Sequence, residues 1–92
     1  MEITYTNTVT GADISFASEN FTFNGSFRKN QETKEIAELE LEAVRTSNPN
    51  GVRQHIVLLN GTTPNYRTYD ISLEDLIEID GAIKEALVEL KK

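Results

Sequence analysis

The stretch Thr33-Lys34-Glu35-Ile36-Ala37-Glu38-Leu39-Glu40-Leu41-Glu42-Ala43-Val44 decides the fold, because its composition and its order point in different directions. Glu, Ala and Leu are strong helix formers. Yet Ala37, Leu39, Leu41 and Ala43 alternate strictly with Glu38, Glu40 and Glu42, which is strand period. Wound as a helix at about 100° per residue, the stretch would place Glu40 in the middle of the arc formed by Ile36, Leu39, Ala43 and Val44 and bury a carboxylate. Extended, the same residues separate into an apolar face and an acidic face without conflict. The order favours a strand, and a helix is the alternative.

Toward the N-terminus, period two continues. Ile3 and Tyr5 alternate with Thr4 and Thr6, Ile14 is followed two residues on by Phe16, and Phe21, Phe23 and Phe27 stand at even-numbered offsets. Asn7 to Gly11 reads as the connection between the first two strands and Ala17 to Asn20 as a tight one between the second and third. Pairing Phe21 with Leu41 and Phe23 with Leu39 puts Gly25 opposite Ala37 and leaves a short turn at Asn30, Gln31 and Glu32. The rival arrangement makes Asn24-Gly25 a two-residue hairpin turn with shorter arms.

Toward the C-terminus, Asn48-Pro49-Asn50-Gly51 is a reversal, since Pro presets φ at the second position and Gly accepts what a side chain resists. Val52 to Leu59 follows as a strand. It is apolar on both faces at Ile56, Val57, Leu58 and Leu59, which suits a central place in the sheet. After a loop over residues 60–65, Tyr66 to Ile71 reads as the last strand. Ser72 then caps a helix running to about Lys91, with Asp75 at its third position and acids in its first turn. Leu76, Ile79, Ile83, Ala86, Leu87 and Leu90 form its apolar stripe toward the sheet. Asp80-Gly81 is its weak point, where Gly costs about 1 kcal/mol relative to Ala.

The expected architecture is α+β: an antiparallel β-meander of five or six strands with one C-terminal helix packed across one face, residues 1–92 forming a single domain. The net charge of −6 is uneven: −1 over residues 1–31, −3 over 32–46, +1 over 47–71 and −3 over 72–92. Binding to nucleic acid or anionic membranes runs on neutralising phosphates with Lys and Arg, so neither is an expected partner. With no cysteine, disulfides, thiolate metal sites and thiol catalysis are excluded. The start Met1-Glu2-Ile3-Thr4-Tyr5 lacks a basic, apolar leader, and no apolar run reaches membrane-spanning length, so a cytoplasmic location is expected. The Asn-X-Ser/Thr triplets at Asn20, Asn24 and Asn60 are read as turn chemistry.

Chemistry is sparse. His55 stands alone, mid-strand, with no second His and no nucleophile at a telling spacing; on the expected pairing it shares a face with Glu42, an ordinary cross-strand pair. Glycines 11, 25, 51, 61 and 81 are isolated and make no phosphate loop. Asp75, Glu78 and Asp80 do not have the spacing of a calcium loop. No catalytic residue, metal or cofactor is expected, and the chain is read as a non-enzyme.

Two interaction candidates stand out. The row Glu38, Glu40, Glu42 is either the solvated face of a one-sided sheet or a functional acidic stripe that needs a cationic partner. Leu73, Ile77 and Val88 lie beside the main helical stripe, interleaved with Asp80 and Lys84, and are either edge packing or a docking strip for a second copy or a partner. The functional expectation is a small acidic interaction or accessory module with an unknown protein partner, a homodimer being one form of it. The alternative is an acidic inhibitor that mimics nucleic acid and blocks a basic groove.

Overall fold

The computed structural model describes residues 2–7, 11–60 and 71–90. Five strands, β1 (Ile3–Asn7), β2 (Ala12–Ala17), β3 (Phe21–Lys29), β4 (Ile36–Arg45) and β5 (Arg53–Leu59), form one sheet in chain order, and the helix α1 (Leu73–Leu90) follows. Every neighbouring pair is antiparallel. This is the α+β meander with a C-terminal helix that the pattern predicts. The strand expected over 66–71 lies outside the described residues except for Ile71, which belongs to no strand.

The deciding stretch is a strand. Leu39, Leu41 and Ala43 are fully buried, and Glu38, Glu40 and Glu42 occupy the opposite face. One irregularity departs from strict alternation: Arg28 pairs with Glu38 but Lys29 pairs with Ile36, leaving Ala37 as the extra residue of a β-bulge. The bulge inverts the alternation at the start of β4, so that Ile36 rather than Ala37 enters the core. More apolar surface leaves water that way. The Ala37 carbonyl accepts from Asn60 N–H at 2.8 Å.

The β3–β4 register differs from the expected one by four residues. Phe21 pairs with Arg45, Phe23 with Ala43, Gly25 with Leu41 and Phe27 with Leu39. Apolar alternation specifies a face, and any even offset preserves it; the turn chooses among the offsets. That turn covers residues 30–35 and is built around Asn30. Its side-chain oxygen accepts from Glu32 N–H at 2.8 Å and Thr33 N–H at 3.1 Å, and its own N–H donates to the Glu35 carbonyl at 2.8 Å. Lys34 closes it at φ 64°. The Asn24-Gly25 hairpin does not form, both residues lying inside β3.

The Asn48–Gly51 reversal is present, with Gly51 N–H donating to the Asn48 carbonyl at 3.0 Å. The central place expected for β5 turns on a strand over 66–71, which lies outside the described residues but for Ile71; among the described residues its strand neighbour is β4. Its inward residues Ile56 and Leu58 are buried, while Val57 and Leu59, opposite Glu40 and Glu38, are exposed on the face that α1 does not cover.

Ser72 caps α1, its hydroxyl accepting from Asp75 N–H at 3.2 Å. The helix runs unbroken through Asp80-Gly81. Its buried face is Ile79, Ala82, Ile83, Ala86 and Leu90, with Leu76 and Leu87 half-buried. Ala82 joins the expected stripe. These residues share one core with Ile14, Phe16, Phe23, Leu39, Leu41 and Leu58, where the Phe16 and Phe23 rings stack at 4.7 Å.

Candidate functional site

The sheet has one face under α1 and one open, mostly polar face, on which Val57 and Leu59 are exposed. On the polar face Thr4, Ser15, Asn24, Glu42 and His55 follow one another across the five strands as direct register partners. The glutamate row crosses this face between β3 and β5, and each carboxylate there has a side-chain donor. Arg28 reaches Glu38 at 3.1 Å, Arg53 reaches Glu42 at 3.1 Å, and His55 donates from Nε2 to Glu40 Oε1 at 2.7 Å. The register does set His55 opposite Glu42, but the imidazole leans diagonally to Glu40 and leaves Glu42 to Arg53. The expected His55–Glu42 pair is thus replaced. Carboxylates at alternate strand positions repel, and the interleaved Arg28 and Arg53 charges, with the hydrogen bond from His55 to Glu40, offset the repulsion within the molecule.

Leu73, Ile77 and Val88 are not edge packing. They are 72%, 64% and 58% exposed, on the side of α1 turned away from the sheet. Gly81 lies in the same outward region, and a Cβ there would meet nothing within 4 Å. Asp80 and Lys84, also on this side, form an i,i+4 ion pair at 2.8 Å. Between α1 and the β2–β3 turn runs a shallow groove, lined on the helix by Ile77, Gly81, Ala82 and Glu85 and on the turn by Ala17 and Glu19.

The two sides of that groove are fastened by Glu78, a residue that sequence reasoning weighed only as a calcium ligand. Its carboxylate accepts from the Ser18 hydroxyl, from Asn20 N–H at 2.8 Å and from Asn20 Nδ2 at 2.7 Å. Burial pushes the Glu78 carboxyl up, but the hydrogen bonds from Ser18 and Asn20, with the Arg45 charge nearby, outweigh it and hold the group below its ordinary value. A second fastening joins Asp75 to Arg45 at the end of β4, whose guanidinium lies 4.9 Å from the centre of the Phe21 ring. A polar Glu next to buried Ile79, with Ser and Asn in a distant turn, gave no signal before the turn and the helix were brought together.

Other acids stay uncompensated. Glu19, Glu74 and Glu85 are exposed and have no ion-pair partner among the described residues. Sequence reasoning missed Glu74 and Glu85 as well, although at about 100° per residue the wheel sets both beside the Ile77 row. The described residues contain no cluster of three or more His, Asp or Glu that could hold a metal ion, and no helix among them is long and apolar enough to cross a membrane. Comparison of the chain with protein-family models, curated proteins and solved structures finds no match.

Proposed function

We propose that this protein is a non-catalytic interaction module that docks a protein partner along the outward side of α1. The observation that carries the reading is the row of Leu73, Ile77 and Val88 on a helix whose opposite side is already committed to the core. A helix needs one apolar stripe to pack on a sheet, and a second, solvent-facing row has no folding role. The sheet and the Glu78 and Asp75 fastenings hold that row in a fixed position. Affinity capture from the native host with the wild-type protein and with a Leu73→Ser, Ile77→Ser, Val88→Ser variant tests it. A partner held by the first and lost by the second is the expected result; a variant that keeps every partner, while folded by circular dichroism, overturns the reading.

The mimic of nucleic acid, by contrast, draws little support from the glutamate row, because Glu38 and Glu42 are paired with Arg28 and Arg53 and Glu40 is hydrogen-bonded to His55. A mimic presents unneutralised charge to its target.

A further inference from the structure

Resting on the docking role of α1, we propose that the partner is a basic amphipathic helix, which lies along α1 in the groove against the β2–β3 turn. Four observations select this occupant. The apolar positions Ile77, Gly81 and Val88, with the Lys84 stem between the last two, fall at steps of four, three and four, the seam along which a second helix packs. Gly81 has open space where a side chain would stand, so the partner's backbone can approach closely at the middle of the seam. The groove is walled by a helix and by a tight turn in which Ser18 N–H donates to the Phe21 carbonyl and the Asn20 carbonyl accepts from Thr46 N–H, so an extended peptide would find no strand edge to pair with there.

Charge decides the rest. Glu19 and Glu85 line the groove, and Glu74 falls on the same side of α1 as Glu85 at about 100° per residue; all three are exposed and without a cationic partner among the described residues, while Asp80 and Lys84 neutralise each other. A ligand with Lys or Arg on both sides of an apolar ridge satisfies these carboxylates and is steered to them. A second copy of this chain meets the opposite situation. An antiparallel pairing that sets Leu73 on the other copy's Val88 also brings Glu74 near the other copy's Glu85, between molecules that each carry −6. Three side chains also fall well short of the roughly 800 Å² per partner of a stable interface, unless a complementary charge adds to them.

The test uses the full chain and two synthetic helical peptides with the same leucine ridge, one flanked by lysines and the other by glutamates. Fluorescence anisotropy is expected to show binding of the lysine peptide only, weakened at least about tenfold by raised salt, by Ile77→Ser with Val88→Ser, and by Glu19→Gln, Glu74→Gln and Glu85→Gln together. Thermal melts of each variant keep loss of fold apart from loss of binding. If both peptides bind equally and the serine variant still loses them, the basic character of the partner is overturned and the docking face survives. If neither peptide binds, or binding ignores the serine substitutions, both are overturned. A wild-type dimer in sedimentation that the serine variant abolishes assigns the face to a second copy and likewise overturns the basic partner.

Discussion

Single residues of one type have opposite importance here, depending on what surrounds them. A Cβ on Gly25 would stand 1.8 Å from the Glu40 carbonyl oxygen, an atom of the neighbouring backbone that cannot turn aside. One on Gly81 would enter open space in the middle of a helix. Gly25→Ala is therefore expected to lower the urea midpoint sharply and Gly81→Ala to raise stability by up to about 1 kcal/mol through helix propensity. Equal effects of the two substitutions would contradict the placement of both. Glu78 makes a prediction of another kind. Its pKa is lower folded than unfolded, so its stabilising contribution is complete above the usual Glu value of 4.5 and is lost as pH falls through the depressed one. Glu78→Gln replaces an acceptor of several N–H and O–H groups with an amide that can accept at only one end. The stability gap between wild type and this variant should be present at neutral pH and close well below pH 4.5 in urea titrations.

At the scale of elements, local chemistry and long-range pairing divide the work. The start of α1 is local: Ser72 accepts from Asp75 N–H, and the acids of the first turn complement the positive end of the helix. Ser72→Ala should cost about 1 kcal/mol, measured as a shift in denaturation midpoint with unchanged slope. β4 is the opposite case. Its residues favour a helix by composition, and the alternation of Leu39, Leu41 and Ala43 with glutamates prevails because the core sits on one side of the sheet and water on the other. The bulge at Ala37 was not legible, since it arises where β3 and β4 meet the turn over 30–35 and where Asn60 supplies a donor.

For the molecule as a whole, cohesion comes from one core between sheet and helix. Phe23 is fully buried at its centre, stacked on Phe16 and tilted against Phe21. Phe23→Ala should cost about 3–5 kcal/mol, against a total stability of about 5–15 kcal/mol for a chain of this class. Its urea midpoint is expected to fall by about a fifth or more; a variant as resistant as wild type would mean that the core is centred elsewhere. The same core explains why the outward row of α1 is left exposed: Ala82 and Ala86 let the helix sit close to the sheet, and Ile79, Ile83 and Leu90 supply its buried contacts.

Much of this was written into the chain locally. Period two in Ile14, Phe16, Phe21 and Phe23, the Pro-containing turn at 48–51, the cap at Ser72 and the stripe from Ile79 to Leu90 each act within a few residues, so the elements and their inward faces could be read one after another. What tertiary structure alone decided were relations between distant segments: the β3–β4 offset, the side-chain donors that answer Glu38, Glu40 and Glu42, the fastening of Glu78 by Ser18 and Asn20, and the outward turn of Leu73, Ile77 and Val88. The physical reason is that alternation specifies a face but is unchanged by any even slip, and a charge or an apolar side chain acquires its role from whichever neighbour the chosen offset brings within a few ångströms.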